Sequence, residues 1–325
     1  MKRGTWDVGH VSRPTSPGVS RQRRVLRQLL SDLTYESIRL TDGHQAGLRI
    51  LTYHRVTDAH LGDRLCVPVA RFAQQMRWLH DQGYRTVTLA QAVTWIRTGT
   101  WDRRQDTGYR IQDTGGRRQQ TRDRQYLALP ENVVVITFDD GYEDNFLNAS
   151  PELARYGFTA CFFVPSAFVN APATRHPAED RPMSWEQLRG LLAHGHEIGA
   201  HSVTHRHLTS LTPQDVAWEA AESKRVLEHH LQRPIDFFCY PAGQYNEPIR
   251  LAVKTSGYLG ACTVEPGANI AGADPFALKR TEVSAFDSLW DLEKKLAGAY
   301  DWLHVAVQGA RRMQSMHKRL VSCNR

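Results

Sequence analysis

The chain has 325 residues, of which 41% are hydrophobic and 23% are charged, and its formal net charge at pH 7 is +7. This composition is typical of a folded globular protein and excludes a wholly disordered chain. The sequence holds no run of about 18 apolar residues, so we expect no membrane-spanning helix. Five cysteines are too few, and odd in number, for a small disulfide scaffold.

The positive charge is concentrated in three stretches, 1–45, 97–126 and 311–325, and the rest of the chain is net negative. A nucleic-acid-binding protein needs its basic residues on the folded body, so we expect no nucleic-acid partner. The basic ends favour two hypotheses, solvated tails or peripheral contact with an anionic membrane. The lack of an apolar signal core and the unpaired cysteines predict a cytoplasmic protein, with the membrane periphery as the alternative.

The first 45 residues are predicted to form a basic N-terminal extension that is partly disordered. Residues 1–20 carry Gly, Pro, Ser and Thr with little periodicity, which predicts disorder. The segment Val25–Leu33 places its Val and Leu residues on one helical face. We expect an amphipathic helix there that either packs on its own domain or lies on a membrane.

A low-complexity insertion is predicted at residues 98–128. Its central part is a seven-residue near-repeat in which threonine and arginine recur in phase, without the apolar seam of a coiled coil. Residues 302–325 are predicted to be a basic C-terminal helix or tail. The catalytic domain is therefore expected to span residues 46–301, interrupted by the insertion.

Strand-like and helix-like segments alternate along the body of the chain. The strongest predicted strand is Val133–Phe138, which is continuously apolar, and other strands are predicted near residues 48–53, 84–89, 159–164, 197–200, 236–240 and 259–263. Continuous apolar strands separated by helices favour a parallel sheet covered by helices. At least seven strands favour closure into a distorted parallel barrel.

Aspartate and histidine residues follow several of the predicted strands. In a parallel barrel such residues meet at the carboxyl-terminal rim, and here they are Asp139, Asp140, His201, His205 and His54. Two imidazoles and one carboxylate form a three-ligand set for a Zn²⁺-like ion, which acidifies water and polarises a carbonyl group. Taken alone, Asp-Asp-Gly is also common as a helix cap, and two histidines four residues apart are common on surfaces. Both motifs at successive strand ends favour the metal site.

Two of these motifs resemble a known family. Thr137–Tyr142 (TFDDGY) with His201–His205 (HSVTH) looks like the polysaccharide deacetylase family, the NodB-like domain of carbohydrate esterase family 4. The segments Phe238–Gly243 (FCYPAG) and Leu51–Val56 (LTYHRV) support the resemblance, and the second is similar to poly-N-acetylglucosamine deacetylases. The resemblance runs from about residue 48 to residue 301. It implies a distorted (β/α)7 barrel and a metal-dependent N-deacetylase of N-acetylhexosamine-containing glycans.

The resemblance also implies roles for individual residues. Asp139 would be the general base, and one divalent ion, Zn²⁺ or alternatively Co²⁺, would be bound by Asp140, His201 and His205. The segment Pro241, Ala242 and Gly243 would support the site, with the backbone N–H of Ala242 helping to hold the oxyanion.

The sequence departs from the family pattern in two places. The third motif of the family often begins with an arginine that orients the base, and Cys239 stands at that position; Arg280 is the expected substitute from a later strand. The late histidine motif that carries the general acid is not clear. His54, in the early motif, is the first candidate for that acid, and His304 is the second.

The sequence therefore predicts a metal-dependent hydrolase that removes N-acetyl groups from a poly- or oligosaccharide related to the cell envelope or to exopolysaccharides. One alternative is a non-catalytic glycan-binding module with a degenerate site, which the departures at Cys239 and at the late histidine favour. A second alternative is a metal-free glycosidase that uses Asp139 and Asp140. Adjacent residues do not easily place two carboxylates about 5–9 Å apart across a glycosidic bond, which argues against it.

Overall fold

The computed structural model describes residues 17–40, 47–101, 129–171 and 180–301. The near-repeat of the insertion and the whole of 302–325, including His304, lie outside the described residues. In chain order the helices and strands are α1 (Pro17–Leu40), β1 (Arg49–Tyr53), β2 (Arg55–Val56), β3 (Cys66–Val67), α2 (Val69–Asp81), β4 (Arg85–Thr86), α3 (Leu89–Thr98), β5 (Val133–Phe138), α4 (Ser150–Arg155), β6 (Cys161–Val164), α5 (Trp185–Ala193), β7 (Glu197–Ala200), α6 (Pro213–Leu231), β8 (Phe237–Cys239), α7 (Glu247–Thr255), β9 (Gly260–Cys262), β10 (Thr281–Glu282) and α8 (Leu289–Ala297).

The main sheet is parallel throughout, with the strand order β10-β1-β5-β6-β7-β8-β9, and β4 adds to the start of β5. Leu278, just before β10, forms a parallel bridge with Cys262 of β9. Because β10 itself pairs with β1, this bridge links the two ends of the sheet. Seven strands thus close a distorted (β/α)7 barrel, which confirms the predicted fold class.

β5 forms the centre of the sheet because its six residues, VVVITF, are apolar or β-branched and all are buried. It pairs with all five residues of β1, from Arg49 opposite Val134 to Tyr53 opposite Phe138. Such a strand, covered on both faces, has the continuous apolar pattern expected of a parallel sheet. Its register with β1 brings the carboxyl ends of the two strands to the same level.

Alternate side chains of the strands point to opposite sides of the barrel wall. One cluster, which includes Ile50, Val135, Cys161 and Phe163, fills the interior together with residues of α3. The other set, which includes Phe138, packs beneath the outer helices. Continuing the alternation of β5 past Phe138 directs the next side chain, Asp139, inward.

Helix α3 covers the amino-terminal end of the barrel. Its first two backbone N–H groups, those of Leu89 and Ala90, donate to the carboxylate of Glu197 at the start of β7. Thr88 and Gln91 form a capping box at the start of the helix, and Gly99 ends it in a left-handed conformation. With one end covered, the opening of the barrel lies at the carboxyl ends of the strands.

Helix α1 begins at Pro17, so the predicted disorder is wrong for residues 17–20. The helix packs on α8, and the leucines of the predicted apolar stripe whose side chains are described, Leu29, Leu30 and Leu33, are exposed. Ser31 and Tyr35 are buried instead. The reason is that α8 presents the buried amine of Lys294, which donates to Asp32 at 2.7 Å and to Ser31 at 3.1 Å.

The other differences between the predicted and the observed elements are small. The strand predicted at 84–89 is only two residues long, because the capping box at Thr88 starts α3 early. The predicted insertion begins at Thr98, but that residue is the last of α3, and Trp101 is buried. The later strand expected at Arg280 is the short β10, which begins one residue after it, and helix α8 was not predicted. In the part of the chain that the structure describes, no helix is long and apolar enough to cross a membrane.

Candidate active site

The turn after β5 separates two consecutive carboxylates. Asp139 points into the barrel, and Asp140 has a positive φ of 73°, a conformation that turns its side chain along the rim. Gly141 follows with a φ of 70°, and a Cβ atom there would lie 2.9 Å from Val164. The backbone of the turn therefore requires a glycine at position 141.

Asp139 is held by a buried arginine that directly precedes β10, which is separated from β5 by only one strand, β1. Arg280 donates from Nη1 to Oδ1 and from Nη2 to Oδ2 of Asp139, both at 2.7 Å, and from Nε to the carbonyl of Thr263 at 2.7 Å. Its Nη2 also lies 3.0 Å from Sγ of Cys239. The guanidinium thus occupies the space beside the base, where the shorter Cys239 side chain leaves room for it.

Asp140, His201 and His205 bring three donor atoms to one point. Oδ1 of Asp140 lies 3.4 Å from Nε2 of His201 and 3.1 Å from Nε2 of His205, and the two nitrogens are 3.1 Å apart. Nδ1 of His201 donates to the carbonyl of Cys239 at 2.7 Å, which leaves its Nε2 as the lone-pair nitrogen. One carboxylate and two imidazoles with convergent atoms fit a divalent metal ion.

The loop between the two histidines is fixed from below by Glu219 of α6. Its buried carboxylate accepts the backbone N–H groups of Val203, at 2.7 Å, and Thr204, at 2.9 Å. Ser202 and His205 both have positive φ, and the Ser202 hydroxyl accepts the N–H of His205 at 2.9 Å. Strained backbone that is held in this way is typical of functional sites.

The carboxylates of the site are biased towards the charged form. Burial raises the pKa of Asp139, but the charge and hydrogen bonds of Arg280 outweigh it and bring the pKa below its ordinary value. Burial acts on Asp140 in the same way, and its hydrogen bonds to His201 and His205 bring its pKa well below the ordinary range. Both groups are therefore ionised at neutral pH.

The third motif forms the next part of the rim. After β8, Pro241 is buried, and Ala242 and Gly243 adopt left-handed conformations, with φ of 52° and 65°. A Cβ atom on Gly243 would collide with Val264. The turn places the backbone of Ala242 beside β8, and the carbonyl of Cys239 in β8 accepts the bond from His201.

His54 follows β1 and is half-buried, and its Nδ1 has no hydrogen-bond partner among the described residues. Its positive form would lower the pKa of both Asp139 and Asp140, so it lies within electrostatic reach of both. The structure therefore brings His54 to the same rim as the two carboxylates. The second candidate for the acid, His304, is outside the described residues.

Sequence reasoning missed several residues that hold this site. Glu219 gave no signal because it is one acidic residue among several on α6, and only its burial distinguishes it. Asp144 and Asn145 were missed although they follow the Asp-Asp-Gly turn directly. The sequence held no signal for them, because the contact of Asp144 with Arg55, beside His54, exists only in the folded chain.

The fold and the site together define a class. A parallel (β/α)7 barrel with an arginine-paired carboxylate beside an aspartate–histidine–histidine set is a hydrolase whose chemistry takes place at the carboxyl ends of its strands.

Comparison with known proteins identifies the family. Residues 127–261 match the polysaccharide deacetylase family. The chain is 32% identical over 239 residues to YxkH of Bacillus subtilis (strain 168), a protein whose name places it among the polysaccharide deacetylases; the match covers 74% of this chain and 72% of that protein. The chain belongs to the polysaccharide deacetylase family, hydrolases that act on carbon–nitrogen bonds, as the sequence motifs predicted.

More distant relatives share the fold. The chain is 24% identical to the poly-beta-1,6-N-acetyl-D-glucosamine N-deacetylase of Escherichia coli O157:H7, over 78% of this chain but only 35% of that protein. Among solved structures, IcaB from Ammonifex degensii matches with a TM-score of 0.62 and 24% identity, over 79% of this chain and 98% of that one. The Streptococcus pyogenes deacetylase PplD in complex with acetate matches with a TM-score of 0.63 and 20% identity, over 77% and 98%.

Proposed function

We propose that the protein removes N-acetyl groups from N-acetylglucosamine units of a poly- or oligosaccharide of the cell envelope or of an exopolysaccharide. The observation that carries the proposal is the convergence of Asp140, His201 and His205 beside the arginine-paired Asp139. Family membership supports the reaction. The names of the relatives that act on N-acetylglucosamine polymers support the substrate class.

We propose Zn²⁺ as the ion that these three side chains would hold, with Co²⁺ as a functional replacement. Catalytic zinc sites typically have three protein ligands, such as one carboxylate and two imidazole nitrogens, and one open coordination position. When bound, the ion supplies an acidified water molecule and polarises the acetyl carbonyl group.

The remaining roles fall to residues of this chain. Asp139 accepts the proton of the attacking water, and Arg280 keeps its carboxylate ionised and fixed in orientation. The backbone N–H of Ala242 donates to the developing oxyanion. His54 donates a proton to the departing amine, so that the sugar leaves as the free amine and the acetyl group as acetate.

The cysteine at position 239 does not by itself indicate a degenerate, non-catalytic module. The space beside Cys239 holds the guanidinium of Arg280, so the base keeps an arginine partner from a later strand. A binding module would need neither this buried ion pair nor a carboxylate biased towards the charged form. We therefore propose catalysis rather than binding alone.

A substrate panel tests the proposal. N-acetylglucosamine oligomers with β-1,6 and with β-1,4 linkages are incubated with the protein, and acetate and free amine are measured with chelator and with added Zn²⁺ or Co²⁺. Release of one acetate per free amine, abolished by chelator, is the expected result. Metal binding without any acetate release selects the glycan-binding module, and chelator-insensitive cleavage of the sugar chain selects the glycosidase.

Cytoplasmic localisation and contact of the basic ends with an anionic membrane stay predictions. Fractionation of cells that produce the protein tests the first. Co-sedimentation with vesicles containing anionic lipid, compared with neutral vesicles, tests the second; binding that is equal for both would contradict an electrostatic contact.

A further inference from the structure

The backbone that follows His54 is hydrogen-bonded to two residues that come soon after the Asp-Asp-Gly turn, Asp144 and Asn145. The carbonyl of His54 accepts the side-chain amide of Asn145 at 2.9 Å. Two residues later, the backbone N–H of Val56 donates to Oδ1 of Asp144 at 3.0 Å. The backbone on the carboxyl side of His54 therefore cannot shift without breaking bonds to this turn.

The side chain next to His54 adds a buried ion pair. Arg55 donates from Nε to Oδ2 of Asp144 at 2.8 Å, and its Nη1 contacts Asp180. Its guanidinium also lies over the ring of Tyr142, 4.4 Å from the ring centroid. Arg55 and Asp144 are both buried.

This arrangement costs free energy to form, because both charges leave water. Burial alone raises the pKa of Asp144, and Arg55 compensates only in part. A packed apolar pair would stabilise the fold at least as well. The position of the pair, one residue after His54 and four residues after Asp140, points to a role in geometry.

The helical turn that begins after Asp144 has an unusual backbone conformation. Residues Asn145–Ala149 form one turn of π-helix, a rare conformation that is frequent at functional sites. From this turn Asn145 donates to the carbonyl of His54, and Asn148 donates to the carbonyl of Val56 in β2 at 2.8 Å. The segment that delivers Asp139 and Asp140 thus also sets the position of His54.

We propose that Arg55, Asp144 and Asn145 are positioning residues that hold His54 at a fixed place relative to Asp139 during deacetylation. The inference rests on the proposed function, in which His54 protonates the leaving amine. A displacement of about 1 Å in a reacting group can cost about 10²-fold in rate. The three residues would therefore act on the rate through His54, without touching the substrate.

The test is a double-mutant cycle on acetate release with wild type, His54→Ala, Asp144→Asn and the double variant, all at equal metal content. Asp144→Asn keeps the shape of the side chain and an acceptor for Val56. We expect it to lower kcat about 10- to 100-fold with KM nearly unchanged. The double variant should be no slower than His54→Ala, because the residue acts only through His54.

The matched control is Asp301→Asn. Asp301 accepts two bonds at 2.8 Å from Arg49, a buried arginine at the opposite end of β1. This variant also breaks an ion pair of β1, so it lowers stability, but it should leave kcat per folded molecule unchanged. Should Asp144→Asn fail to fold, Asn145→Ser carries the same expectation, since it leaves the ion pair intact.

A second readout does not need activity. In the metal-free protein, the Cε1–H NMR signal of His54, assigned with His54→Ala, should move or broaden in Asp144→Asn and stay in place in Asp301→Asn. An unchanged signal, or a double variant in which the two losses multiply, overturns the positioning role. Absence of acetate release by the wild type contradicts the proposed function instead, and the NMR comparison still decides the inference.

Discussion

Asp139 and Asp140 show how two identical neighbours in the chain come to lie in different surroundings. The first continues the inward alternation of β5 and meets Arg280, whereas the second turns through a positive φ and meets two imidazoles. The fixed guanidinium of Arg280 compensates the charge of Asp139. A bound metal ion would compensate the charge of Asp140. These two environments support the proposed roles, general base for Asp139 and metal ligand for Asp140.

Amide substitutions separate the two roles. Asp139→Asn removes the proton acceptor but leaves the ligands in place, so it should keep the metal and lose about 10²–10⁴-fold in rate. Asp140→Asn weakens coordination, so part of its activity should return when Zn²⁺ is raised. Metal content and acetate release are measured for both. Loss of metal from Asp139→Asn together with retention by Asp140→Asn would mean that the roles are reversed.

A substitution at Glu219 tests whether this residue supports the loop between His201 and His205. Glu219→Gln replaces a charged acceptor of two backbone N–H groups, and residues that orient metal ligands typically contribute about 10–100-fold in affinity. We expect a rise of that size in the Kd for Zn²⁺, measured by competition with a chromophoric chelator. The control is Glu222→Gln on the same helix, where the carboxylate pairs with Arg225, a largely exposed side chain. Equal effects of the two variants would contradict the role of Glu219.

At the scale of elements, α1 contacts α8 through polar side chains, and the described leucines of its stripe are exposed. Lys294 of α8 is 1% exposed, and its amine is paired with Asp32. Asp32 also accepts the indole N–H of Trp290 at 3.3 Å, and the ring of Trp290 packs edge-on against Tyr35. In this basic N-terminal helix, the acidic side chain of Asp32 therefore pairs with the buried amine of α8, beside the contacts of Ser31 and Tyr35.

Removing that acid should destabilise the protein. Asp32→Ala leaves the buried amine of Lys294 with poorer partners, and an unsatisfied buried donor costs about 1–3 kcal/mol. The free energy of unfolding, measured in urea, should fall by that amount. Leu33→Ala is the control, because Leu33 is 71% exposed on the same helix, and its effect should stay within about 0.5 kcal/mol. A larger loss from Leu33→Ala would indicate that the leucine stripe is the true contact.

At the scale of the whole molecule, the amino-terminal end of the sheet carries a pH-dependent contribution to stability. His196 accepts the N–H of Ala160 on Nδ1 at 3.2 Å, so its Nε2–H is free to donate to the Ser150 hydroxyl, also at 3.2 Å. Burial lowers the pKa of His196 to about 4. The folded protein thus needs this imidazole neutral, while the unfolded chain protonates it near pH 6.5.

The stability that His196 contributes is present above pH 6.5 and is lost as the pH falls towards 4. Between these values it changes by about 1.4 kcal/mol per pH unit. His196→Asn keeps an acceptor for Ala160 but cannot be protonated. The difference in unfolding free energy, wild type minus variant, should therefore fall by about 3 kcal/mol from pH 7 to pH 4. Burial raises the pKa of Glu197 to about 7, so its contribution to stability changes with pH in the opposite direction. Because wild type and variant share this contribution, it cancels in the difference. A constant difference would contradict the neutral, buried imidazole.

The sequence predicts the barrel because strand and helix periods are local properties, and it predicts the rim residues because they follow those strands. The pairing of Arg280 with Asp139 could be proposed only by analogy, since 141 residues separate them along the chain. The support from Glu219 and Asp144 depends on which polar side chains are buried, and burial is decided by packing rather than by local pattern. The residues through which α1 contacts α8 could not be predicted for that same reason.

The most direct test of the central claim is acetate release by protein freed of metal and then reloaded. The metal-free protein should release no more acetate from an N-acetylglucosamine oligomer than His201→Ala does. One equivalent of Zn²⁺ per chain should restore the rate, while His201→Ala stays inactive at the same concentration. Undiminished release by the metal-free protein, or a full complement of bound Zn²⁺ with no release from any oligomer, would contradict a metal-dependent N-deacetylase.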